Sequence, residues 1–102
     1  MLLAIVAAPL AAEEVTITGT VIGPDGEAVA GAYVGTMVRG SDEDGWLTRT
    51  TDVEGRFELQ FEVERPQKQY AIAVAADGFG LTGVRAKPGE PVEIALSPAG
   101  EP

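Results

Sequence analysis

The chain has 102 residues, enough for one domain, with 45% apolar residues and a formal net charge of −9 from 16 acidic and 7 basic side chains. So much apolar content excludes a disordered tail, and the acidic balance opposes nucleic acid and anionic membrane surfaces because their phosphates would be repelled. The absence of both Cys and His removes disulfides, thiolate sites, the commonest general base and the commonest transition-metal ligand.

Residues Met1–Ala12 (MLLAIVAAPLAA) form an apolar stretch that stops at Glu13-Glu14. Its small-residue end resembles the last part of a secretory signal peptide, and it is too short to span a bilayer. Read this way, the mature chain begins near Glu13, carries no transmembrane anchor and is exported to the periplasm, the cell surface or the medium. The competing reading makes Met1–Ala12 an apolar lead-in to the fold, or the remnant of a longer protein. Every charged residue lies after Ala12, so cleavage leaves the acidic balance untouched. Without Asn there is no N-glycosylation acceptor.

From Glu14 onward the hydrophobic pattern has period two, the signature of strands with one buried face. Val15 to Val21 places Val15, Ile17 and Val21 on one side and Thr16, Thr18 and Thr20 on the other, as expected of an outer strand with a polar side. Gly23-Pro24-Asp25-Gly26-Glu27 is a tight turn, and a second strand is expected from about Val29 to Arg39. After the polar loop Gly40–Gly45, Trp46–Thr51 can re-enter the sheet, and Asp52–Gly55 turns the chain again. Arg56–Val63 is the clearest strand, with Phe57, Leu59, Phe61 and Val63 inward and Arg56, Glu58, Gln60 and Glu62 in water.

Following the break Glu64–Gln69, Tyr70–Ala76 is ambiguous by its alanine content. The β-branched Ile72 and Val74 and the Asp77-Gly78 turn favour a strand, with Ala on its other side allowing close backbone approach. Leu81–Ala86, a Lys87–Glu90 turn and a last strand Val92–Ser97 follow. About seven short strands at this spacing indicate an all-β sandwich. The domain is expected over residues 14–97, with 98–102 as a flexible exit tail.

Gly19-Thr20-Val21, Pro24–Val34, Thr51–Leu59, Tyr70–Val74 and Gly78-Phe79 together resemble the carboxypeptidase regulatory-like domain. The resemblance covers Val15 to Ser97 and implies a seven-stranded Greek-key β-sandwich of transthyretin (prealbumin) type. Such domains accompany peptidases or outer-membrane receptors, or recur in secreted bacterial proteins, and they have no catalytic residues to carry over. The resemblance therefore implies an accessory or structural module that mediates protein interaction or spacing, with a protein partner or an attached domain.

Two features remain as candidate sites. Asp42 and Asp44, with Asp52, can offer the oxygen ligands that Ca²⁺ prefers, although the spacing is not that of an EF-hand and a solvated acidic loop explains the run equally. Trp46, the only Trp, is read either as a cap on the core or as an exposed anchor for a glycan or a protein partner. Ser41 and Ser97 have no imidazole to activate them, and no cleft for paired carboxylates is evident. The chain is accordingly expected not to be an enzyme and to need no cofactor.

Overall fold

The computed structural model describes residues 13–38 and 45–98. Seven strands follow one another: β1 (Glu13–Ile22), β2 (Tyr33–Val38), β3 (Gly45–Thr50), β4 (Arg56–Val63), β5 (Tyr70–Ala75), β6 (Thr82–Ala86) and β7 (Val92–Ala95). They form a three-stranded sheet ordered β4-β1-β7 and a four-stranded sheet ordered β3-β2-β5-β6. Only β2–β3 and β5–β6 are sequential neighbours within one sheet; the other connections cross between sheets. The result is the expected all-β sandwich, with an order that differs from the ABED/CFG arrangement of immunoglobulin constant domains.

Alternation builds the core. The inward residues Val15, Ile17 and Val21 of β1 and Phe57, Leu59, Phe61 and Val63 of β4 are buried, in an antiparallel register that sets Ile17 against Leu59 and Val15 against Phe61. The second sheet supplies Val34, Val38, Tyr70, Ile72 and Val74, and Ile94 and Leu96 complete the cluster. Phe61 and Tyr70 meet edge to face with ring centroids 5.2 Å apart, a favoured aromatic geometry. The Tyr70 hydroxyl accepts a bond from the Gln67 N–H at 2.8 Å, which ties down the β4–β5 connection. Thr36, the polar residue on the inner face of β2, is satisfied by donating to the Ala71 carbonyl at 2.9 Å.

The β4 reading matches its observed bounds and alternation residue for residue, and Tyr70–Ala75 is a strand, not a helix. Two expectations need correction. β1 is the middle strand of its sheet, paired with β4 and with the parallel β7, and not an outer one; a period-two pattern reports which face is wet, not which strand is at the edge. The second strand begins at Tyr33 and not near Val29. Gly31 stands at φ 74°, outside the strand region, and the Val29–Ala32 segment bonds instead to Val21 and to Thr51.

Gly55 closes the β3–β4 turn at φ 76°, where a Cβ would lie 2.6 Å from the Val21 carbonyl oxygen, so both conformation and space require glycine. At the far end of the chain, Pro98 forms an isolated bridge with Phe79, so ordered pairing reaches one residue past the expected domain end.

Candidate functional site

The two outer faces of the sandwich differ in chemistry. On the three-stranded sheet the outward positions include Glu14, Glu58, Glu62 and Glu93 among threonines, Gln60 and Arg56; Gln60 bonds Glu14 across β4 and β1 at 3.0 Å. That is an ordinary hydrated face. On the four-stranded sheet the outward positions are Trp46, Thr48 and Thr50 of β3, Tyr33, Gly35 and Met37 of β2, Ala71, Ala73 and Ala75 of β5, and Gly83 and Arg85 of β6. None of these is acidic, in a chain with 16 acidic residues.

Register sets the rows of this face. Trp46 lies opposite Met37, and Thr48 opposite Gly35; Gly35 lies opposite Ala73; Ala73 pairs Gly83, and Ala71 pairs Arg85. The β2–β3 half therefore carries large side chains, while the β5–β6 half is a nearly bare floor ending in one guanidinium. A groove of 450 Å³ runs over that floor, with Met37 and Trp46 on one side, Arg85 on the other and Ala71, Ala73 and Gly83 beneath.

Trp46 is 55% exposed, so it is not a cap on the core. Its indole leans across the neighbouring strand: a Cβ on Gly35 would stand 2.5 Å from Nε1 and 2.6 Å from Cε2 and Cζ2. Gly35 is thus the residue that lets the ring rest there. Tyr33, Met37 and Trp46 account for three of the five large apolar side chains left exposed, and a fourth, Leu81, leads into β6 with the outward parity of Gly83. Grouping on this scale marks an interaction surface more often than chance scatter does.

A second groove, of 510 Å³, lies at one end of the sandwich and includes Arg49, Asp52, Arg56 and Glu58 with Thr18, Thr20 and Thr50. Its charges are already engaged. Asp52 Oδ1 accepts the N–H groups of Glu54 and Arg56, each at 2.9 Å, and Arg56 pairs with Glu54. Asp52 therefore builds the turn. Asp42 and Asp44, the other calcium candidates, lie outside the described residues, among which no three His, Cys, Asp or Glu side chains gather as a metal site.

Trp46 was legible in the sequence as a candidate, but Tyr33, Gly35, Met37, Gly83 and Arg85 were not. The available signal was apolar residues at both parities of Tyr33–Val38, which in a sheet with one wet face leaves some of them outside.

No family model matches the chain, and no curated protein matches it. Solved structures do. A chlorocatechol 1,2-dioxygenase from Pseudomonas putida is similar with a TM-score of 0.68 at 12% identity, over 89% of this chain and 62% of that one. A catechol 1,2-dioxygenase from Acinetobacter radioresistens gives 0.65 at 14%, over 88% and 53%. The dioxygenase domain of a dioxygenase carbohydrate-binding fusion from Streptomyces sp. SirexAA-E gives 0.53 at 16%, over 90% and 83%. The chain thus spans under two thirds of the two longer enzymes.

This likeness overturns the expectation that the chain is not an enzyme. That expectation took a small sandwich without imidazole for a fold with no place for chemistry, and the same sandwich is found in proteins named as dioxygenases. The physical reason is that function resides in loops and side chains mounted on a fold, so fold and inventory of one stretch do not exclude it. At this identity the likeness is one of fold, and no residue role carries over from those enzymes.

Proposed function

We propose that this chain is an accessory interaction domain outside the cytoplasm, and that it holds a protein partner or an attached domain against the outer face of its four-stranded sheet. The observation that carries this reading is the composition of that face. Trp, Tyr, Met and Arg are the side chains enriched at protein interfaces, and Asp, Glu and Lys are depleted there. The face holds Trp46, Tyr33, Met37 and Arg85, and none of the depleted three. A sugar ring would want several polar groups fixed around it, whereas the floor of Gly35, Ala71, Ala73 and Gly83 offers no side-chain donor. The resemblance to carboxypeptidase regulatory-like domains, which accompany other domains, and the signal-like Met1–Ala12 stretch support the setting.

The test compares two glutamate substitutions on opposite faces, in the protein expressed and exported in its own cells. Met37→Glu places a charge at the centre of the apolar rim and should reduce the native assembly to the monomer on size-exclusion chromatography. Thr18→Glu, on the outer face of β1, should leave the assembly intact. A folded Met37→Glu protein that still migrates in the wild-type assembly overturns the proposal.

A further inference from the structure

We infer that the partner on this face is a second copy of the same chain, packed face to face about a two-fold axis that runs along the strands between β2 and β5. The inference rests on the docking-face reading above and goes further by naming the occupant. It follows from the strand order β3-β2-β5-β6 and its registers.

Such an axis lays β3 over β6 of the second copy and β2 over β5. The bulky half of each face then meets the bare half of the other. Met37 falls over Ala71 of the second copy, Tyr33 over Ala75, Thr48 over Gly83, and Gly35 meets Ala73. Trp46 falls on Arg85, which puts a guanidinium against an indole twice in one interface, a favourable cation–π pairing. A surface whose two halves complement each other in this way is self-complementary under a two-fold, as an isologous interface requires. Aligned packing of two sheets in this manner is a standard sandwich geometry.

Charge placement allows it. Each copy carries a net charge of −9, but Glu14, Glu58, Glu62 and Glu93 all lie on the opposite outer face and point away from the contact. The remaining long-range repulsion is screened by salt. A dimer of this kind therefore tightens as ionic strength rises, the reverse of one held by ion pairs. The contact is small: four strands about 4.8 Å apart, with rows about 3.4 Å apart along them, give a face of roughly 19 by 20 Å, below the about 800 Å² per partner of a standard interface. Association is accordingly weak and reversible.

Sedimentation equilibrium of the purified chain over roughly 1–500 µM tests this. The expected result is a monomer–dimer equilibrium that shifts toward dimer when sodium chloride is raised, and is lost in Ala73→Glu and in Thr48→Glu, with both variants checked for native β-sheet signal by circular dichroism. Thr48 is exposed on the edge strand, so its substitution keeps the test valid if Ala73→Glu fails to fold. A monomer at every concentration and salt level overturns the inference, as does a dimer that persists in the folded variants. If the chain is monomeric while Met37→Glu still dissolves the native assembly, the docking face stands with a different protein on it. If Met37→Glu changes nothing either, both readings fall.

Discussion

Leu59→Ala should destabilise the domain by about 3–5 kcal/mol, the upper part of the range for large-to-small substitutions in a core. Leu59 is fully buried, stands opposite Ile17 in the β1–β4 ladder and belongs to the single cluster that joins the two sheets. The loss includes the transfer free energy of the missing methyl groups and the cavity left where neither sheet can collapse inward. A domain of this size has a total stability on the order of 5–15 kcal/mol, so the variant should be extensively unfolded at moderate urea concentrations where the wild type is native. Urea titration followed by circular dichroism measures this. The contrast is Gln60→Ala, one residue along and on the wet face, which should stay within about 0.5 kcal/mol of wild type. Equal effects at the two positions would mean that β4 is not seated as described.

The second large effect is expected at Thr51, where a hydroxyl holds an irregular segment to the sandwich. Its Oγ1 donates to the Val29 carbonyl at 2.6 Å and accepts from the Ala32 N–H at 2.9 Å, both in buried surroundings. Backbone bonds between Thr51 and Ala32 and from Gly31 to Thr51 reinforce the join. Thr51→Val keeps the shape and removes the hydroxyl, leaving one buried carbonyl and one buried N–H without that partner. At about 1–3 kcal/mol for each such group, the cost should be about 2–4 kcal/mol. Thr51→Ser keeps the hydroxyl and should recover most of it. Chemical denaturation of the three proteins decides the matter; a Thr51→Val protein as stable as wild type would show that water replaces the hydroxyl at no cost.

Thr51 also shows where sequence reading stops. The alternation in Arg56–Val63 is a local property, and it gave the faces and bounds of β4 directly. The start of β2 depended on the φ of Gly31 and on a hydrogen-bonding partner some twenty residues away, and neither is written in the periodicity of Val29–Val38. Likewise, the polar side of β1 was legible in Thr16, Thr18 and Thr20, while its central place in the sheet came from long-range pairing with β4 and β7.

The candidate site was harder still, because it exists only through register. Trp46 stood out by its rarity, but its neighbours Met37 and Gly35 become neighbours through the β2–β3 pairing, and Arg85 joins them only across β5 and β6. Alanines at Ala71, Ala73 and Ala75 suggested close approach of backbones; they instead form an open floor. The exclusion of enzyme activity failed for a related reason, since it drew a functional conclusion from an inventory of residues where the fold itself is shared with proteins named as dioxygenases.

The most direct test of the docking face is site-specific photo-cross-linking in the exported protein, with a photoreactive amino acid placed at Thr48 on the outer face of the four-stranded sheet or at Thr18 on the other. The account predicts a cross-linked protein adduct from position 48 and none from position 18. Adducts from position 18 alone, or from neither position, would contradict it.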